Sequence, residues 1–261
     1  DRTGGRLHGR GRRSRPAEQS WGGHRSCILG PAQLAPSFGN RRRNRQIEEH
    51  VGEVERIRAV YAEYDDAGRP HQWAADRGIH AERRDRLATV LRGRSHPERL
   101  RVLDLGCGRG DLLPELVAAG IRPGHVVGVD LLPHRLAGAR GRGLQALVGS
   151  GTTLPFADAT FDLVVAFTLF SSVTDDRLRR GIAAEIGRVL RSDGAAVVYD
   201  LRLPNPANRA LRPLDRRELA ALFAGWRQDG TTLTLLPPLA RRVAPEPGRR
   251  YGMLSGVPAL R

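Results

Sequence analysis

The chain has 261 residues, and its 43 basic side chains, all arginine, outnumber 28 acidic ones for a formal net charge of +15. That length suits one medium domain with an appendage, and a 40% hydrophobic content excludes a wholly disordered chain. No apolar run approaches the ~18 residues that a spanning helix needs, residues 1–30 show no secretory leader, and two cysteines cannot build a disulfide framework, which together predict a cytoplasmic protein.

Residues 1–46 carry eleven arginines and two acids, are rich in Gly and Pro, and lack any apolar period, so they are expected to form a disordered tail. The run Arg41-Arg42-Arg43-Asn44-Arg45 suits either an anchor for nucleic acid or anionic lipid, or a solvated surface. An amphipathic helix is expected from Ile47, with Val51, Val54, Ile57, Val60, Tyr61 and Tyr64 on one face, ending before Gly68. His80–Leu91 reads as a second helix, so residues 47–98 form a helical cap ahead of the core.

A βα rhythm occupies residues 99–240. Strands are expected at Leu100–Leu105, Val126–Asp130, Gln145–Val148, Asp162–Phe167, Ala195–Asp200 and Thr231–Leu236. Helices are expected at Asp111–Ala119, Leu132–Arg140, Asp175–Leu190 and Asp215–Ala224, the last with Asp215 as its N-cap. Buried strands alternating with helices predict an α/β fold, a doubly wound and mostly parallel sheet covered on both faces. Residues 241–261, with five arginines and one acid, read as an irregular basic tail. Residues 47–240 are nearly neutral, 27 arginines against 25 acids, which weighs against nucleic acid as the partner.

Chemistry concentrates in three segments. In Asp104-Leu-Gly106-Cys-Gly108-Arg-Gly110-Asp111, a buried strand runs into three glycines at spacing two and then into a helix. Glycines there permit positive φ and close approach of a ligand, and the helix start presents free N–H groups to an anion. A dehydrogenase fingerprint would place Gly or Ala where Asp111 stands. Asp130 ends the next strand 24 residues after Gly106, on the same sheet edge, where it can accept from both hydroxyls of a ribose or simply cap a helix. The third segment, Gly149-Ser150-Gly151 through Leu154-Pro155-Phe156 to Phe161-Asp162, opens a further buried strand in a manner foreign to dehydrogenases.

Taken in order, DLGCGRG, GVDLLPHRL, LPFADATFDLVV and EIGRVLRSDGAAVVYD resemble the class I S-adenosylmethionine-dependent methyltransferases, in the branch with small-molecule and quinone-type enzymes, over roughly residues 50–236. The resemblance implies a Rossmann-like fold, S-adenosyl-L-methionine as cofactor and a small-molecule methyl acceptor. It implies that Asp104, Gly106, Gly108 and Gly110 line the pocket for the methionine part and that Asp130 binds the ribose. Leu131 would pack on adenine and Phe167 would lie under the sulfonium. Many relatives carry an aspartate facing the adenine amino group where this chain has Ser150, followed by Gly151. No catalytic side chain is marked, and eight scattered histidines give no metal-ligand spacing. Tyr61, Tyr64, His71 and Trp73 are expected to cap the acceptor mouth, with Phe167–Phe170 and Tyr199–Arg202 exposed to it. Relatives close the sheet with an antiparallel seventh strand, which is expected here to be missing or irregular. Two alternatives stay open: a non-catalytic cofactor-binding scaffold, and an RNA or ribosome methyltransferase that uses the arginine-rich tails.

Overall fold

The computed structural model describes residues 28–30, 43–66, 82–92, 94–141, 145–204 and 209–230. The expected strand at Thr231–Leu236, the tail 241–261, and His71 and Trp73 lie outside the described residues.

Five strands form the parallel centre of the sheet: β2 (Val102–Leu105), β3 (Val126–Asp130), β4 (Gln145–Val148), β5 (Phe161–Phe167) and β6 (Leu190–Tyr199). Their order, β4-β3-β2-β5-β6, reverses direction of growth between β2 and β5, and a ligand crevice is expected at the carboxyl ends beside such a switch point. Val, Leu, Ala and Phe dominate these strands, and nearly all of β2, β3 and β5 is buried. Their residues alternate faces. Val164, Ala166, Ala196 and Val198 pack with Ile182 and Ile186 of helix α5 (Asp176–Val189), whereas Leu163, Val165, Ala195 and Val197 pack with the opposite layer. That second layer holds helix α2 (residues 82–92), α3 (Leu112–Ala118) and α4 (Ala137–Gly141). Caps agree with the sequence: Asp175 accepts from the amides of Arg177 and Leu178, and Asp215 accepts from that of Glu218 at the start of α6 (Arg216–Leu222).

Several expectations are corrected. Inside the segment read as a disordered tail, Ile28–Gly30 forms strand β1, antiparallel to β6, and Arg227–Asp229 forms β7, antiparallel to β1. Among the described residues the sheet therefore has seven strands and an antiparallel partner for β6, supplied from the N-terminal side. Ile28 pairs with Val197 and Leu29 with Ala196, so β1 covers that stretch of the β6 edge. Helix α1 (Arg43–Asp66) starts before Ile47, and its covered face runs through Glu53, Ile57 and Tyr61 while Val51 is exposed. The expected helix Leu132–Arg140 begins as a 3₁₀ turn, Pro133–Leu136, before α4. Strand β6 starts at Leu190, directly after α5, because an irregularity between Phe161 and Leu163 lets both Leu190 and Ala195 pair with β5. Among the described residues, no helix is long and apolar enough to cross a membrane.

Candidate functional site

The carboxyl ends of β2, β3 and β5 open into a cavity of about 300 Å³, roofed by α1. Its floor is the loop after β2, where the amides of Gly106 and Cys107 both donate to Val129 O, at 2.8 and 3.1 Å. Gly106, Gly108 and Gly110 all hold positive φ (76°, 54° and 73°), conformations that cost an L-residue energy. Gly106 and Gly108 line the cavity. Gly110 does not: it lies against α4, where a Cβ would collide with that of Ala139. The close approach of α4 requires a glycine there, whatever else Gly110 does. Cys107 packs on β3, its sulfur 2.7 Å from where a Cβ would stand on Gly128. Burial, reinforced by the charges of Asp104 and Asp130, pushes its thiol pKa well above the ordinary range, so it is a packing group and not a nucleophile.

Two carboxylates shape the cavity. Asp130 Oδ2 accepts from Gly108 N at 2.7 Å and Oδ1 from Leu132 N at 2.9 Å, which orients the group and leaves further lone pairs. Asp104 is 3% exposed, and its Oδ2 has no hydrogen-bond partner among the described residues. Burial raises its pKa to about 7; Arg83 opposes that shift, and the charges of Asp130 and Asp111 add to it. A buried carboxyl oxygen without a partner, on the wall of a cavity, fits a cationic ligand group. That is what the amino group of S-adenosylmethionine offers.

At the far wall, Gly149 N donates to Asp130 O at 3.0 Å, which holds the Ser150–Thr152 turn beside Leu131. The Ser150 hydroxyl pairs with Thr152 Oγ1 at 2.8 Å, so it is engaged within its own turn. Gly151 faces Ile182 of α5, with room for a Cβ only 3.2 Å from that side chain. Phe167 closes the end of β5 and meets Tyr199 of β6 edge-on, at 5.6 Å between centroids.

The roof is fastened by polar bonds. Glu53 of α1 takes Arg56 Nε at 2.7 Å and receives Thr174 N, and these bonds hold its carboxyl below the usual range against the opposing effect of burial. Arg56 also reaches Ser172 O and, at 3.0 Å, Ala210 O, while Tyr61 Oη lies 2.6 Å from Ser172 Oγ. Tyr61 thus lies in the roof of the cavity. Asp200 is absent from the cavity lining: its oxygens accept from Ser171 N and Leu201 N, so it ties the end of β6 to the turn after β5.

Apart from Gly110, the expected residues Asp104, Gly106, Gly108, Asp130, Leu131, Ser150, Gly151 and Phe167 all line the cavity. Sequence reasoning missed Glu53, Arg83 and Arg135. Arg135 stacks on Tyr61 at 4.4 Å and lies beside Gly108. Arg83, from α2, stands 4.7 Å from the Phe167 ring and 5.6 Å from that of Tyr199. Neither arginine stands out in a chain with so many.

Residues 102–194 match the family described as a methyltransferase domain, and they contain the glycine loop, Asp130 and β5. A demethylmenaquinone methyltransferase of Roseiflexus sp. (strain RS-1) is 34% identical over 180 residues, 62% of this chain and 69% of that protein. With this loop, sheet and match, the chain belongs to the class I S-adenosylmethionine-dependent methyltransferases. Within that class it is also similar to the demethylmenaquinone methyltransferase of Mycobacterium sp. (strain KMS), at 33% identity over 147 residues, 56% of this chain and 55% of that protein. The chain therefore spans about half the length of that curated relative. A solved structure of a cofactor-bound amino pentose methyltransferase from Micromonospora echinaspora is 29% identical, covers 56% of this chain and 57% of its own, and has a TM-score of 0.40.

Proposed function

We propose that residues 99–240, under the helical cap 47–98, transfer a methyl group from S-adenosylmethionine to a small organic acceptor. The observation that carries this reading is the Asp104 carboxyl, buried in the cavity wall beside the glycine loop with Oδ2 unpartnered among the described residues. Asp104 would take the ammonium of the methionine part, Gly106 and Gly108 would let it lie on the backbone, and Asp130 would accept from the ribose hydroxyls. Leu131 and the Ser150–Gly151 turn would flank the adenine, and Phe167 would underlie the sulfonium. Gly110 serves that arrangement indirectly, through its packing on Ala139.

Bound there, S-adenosylmethionine supplies a methyl group on a cationic sulfur and departs as a neutral thioether, so no acid is needed to expel it. The protein's part is then to hold donor and acceptor at near-attack distance and to keep water out. The apolar groups Ile57, Leu169 and Val173 and the capping Tyr61 provide such a surround. The relatives' names make demethylmenaquinone the first acceptor to test, with transfer to carbon, oxygen or nitrogen left to the product analysis. The near-neutral central segment favours this small-molecule reading over an RNA acceptor.

Calorimetric titration should show binding of both S-adenosylmethionine and its demethylated product. Incubation with methyl-labelled cofactor and a short-chain demethylmenaquinone should label the organic phase. Cofactor binding without label in that acceptor, or in any small molecule of a cell extract, would instead favour the silent scaffold.

A further inference from the structure

We infer that Arg83 is the anion receptor of this cavity, gripping the carboxylate of the cofactor's amino-acid headgroup across from Asp104 and making the pocket selective for the intact zwitterion. The inference rests on the cofactor reading proposed above.

An α-amino acid headgroup carries an ammonium and a carboxylate only a few bonds apart. Asp104 offers a counter-charge for the first. The second would enter a cavity already lined by Asp104, Asp111 and Asp130, and without a cation nearby it would be repelled and poorly hydrated. Among the described residues, three arginines line the cavity: Arg83, Arg109 and Arg135. Arg109 is exposed. Arg135 stacks on Tyr61 and lies over Gly108, whose amide binds Asp130, which puts it at the ribose end. Arg83 belongs to the other end. Its guanidinium stands over the Phe167 and Tyr199 rings, at the tips of β5 and β6, within the field of Asp104.

The in-plane N–H groups of a guanidinium form a fork that matches a carboxylate. Two aromatic rings also hold the group in place before any ligand arrives, so less side-chain freedom is lost on binding. Arg83 and Asp104 together then present a positive and a negative group matched to a zwitterion.

Decarboxylated S-adenosylmethionine, which keeps the ammonium and the sulfonium, is the discriminating probe. The unmodified protein should bind S-adenosylmethionine about tenfold to a hundredfold more tightly than the decarboxylated compound, the range for a charge-assisted bond. Arg83→Met should erase that preference by weakening S-adenosylmethionine alone, leaving the decarboxylated compound unchanged or tighter. Arg83→Lys, which keeps charge but not the planar fork, should retain part of the preference, and thermal melts of both variants check that they are folded. Equal affinity of the unmodified protein for the two compounds would overturn the assignment while leaving the cofactor reading intact. So would a loss of equal size for both compounds in Arg83→Met. Failure of the unmodified protein to bind either compound would overturn both.

Discussion

Gly108 donates its backbone N–H to Asp130 Oδ2 at 2.7 Å, so the last residue of β3 anchors the loop that leaves β2. The other oxygen takes Leu132 N at 2.9 Å, and the same carboxylate faces the cavity. One side chain thus sets the shape of the floor and offers the acceptor atoms expected to meet a ribose. Asp130→Ala should weaken S-adenosylmethionine binding on the order of a hundredfold, as expected when two charge-assisted bonds are lost. Calorimetric titration measures it, and undiminished affinity in a folded variant would remove Asp130 from the site.

Asp104 predicts a pH dependence with opposite signs for the free and the bound protein. Its pKa is raised from 3.8 to about 7, by burial first, with Asp130 and Asp111 adding and Arg83 opposing. Between those values the unfolded chain gives up the proton before the folded one does, so stability should fall as pH rises from about 4 to about 7. Binding of a cationic headgroup needs the carboxylate, so affinity should rise over the upper part of that window. From pH 5.5 to pH 7 the dissociation constant should drop on the order of tenfold, with proton release visible as a buffer-dependent heat. The release should vanish in Asp104→Asn, and a flat affinity profile in the unmodified protein would exclude Asp104 from the headgroup contact.

Arg179 is wholly buried and ties together segments far apart in sequence. Its Nε donates to Val173 O at 2.7 Å, one terminal nitrogen donates to Arg212 O at 2.7 Å, and the other donates to Glu218 Oε2 at 2.8 Å. It thereby joins α5 to the turn that follows β5 and to α6, behind the cavity wall that contains Val173. Arg179→Met would occupy much of the space but strand four acceptors, Pro213 O being the fourth at 3.2 Å. The variant should lose about 3 kcal/mol of stability, the lower end for breaking a buried pair whose partner keeps some water contact. A urea unfolding midpoint within error of the parent's would show the hub to be dispensable.

What could be read from the residues was local. Asp130 announces itself by its distance from Gly106, and the alternation of Ala195, Ala196, Val197 and Val198 between two packed layers follows from strand geometry alone. Features that depend on a distant partner were not legible. Ile28–Gly30 is too short for any period, and it becomes a strand only because β6 has an edge to pair with. In α1, apolar counting puts Val51 inside, yet it is 54% exposed, and Glu53 takes a buried place because Arg56 and Thr174 satisfy its carboxylate. Arg83 resembles every other arginine until α2 is laid over the ends of β5 and β6. Gly110 reads as a member of the ligand loop by spacing, and only the folded chain shows Ala139 packed where its Cβ would stand.

That last pairing is open to a direct test. Gly110 holds φ at 73°, and a Cβ there would collide with the Cβ of Ala139 on α4. Gly110→Ala therefore suffers twice, through a left-handed backbone costing about 1–2 kcal/mol and through overpacking of about 1–3 kcal/mol. Ala139→Gly removes the opposing methyl and should restore the second part but not the first, at about 1 kcal/mol for the glycine placed in α4. In a double-mutant cycle followed by urea unfolding, Gly110→Ala with Ala139→Gly should therefore be more stable than the sum of the single losses predicts. The coupling separates packing from ligand contact: if Gly110 serves α4, the double variant recovers stability and cofactor affinity together. If Gly110 instead contacts the methionine part directly, stability returns while affinity stays low.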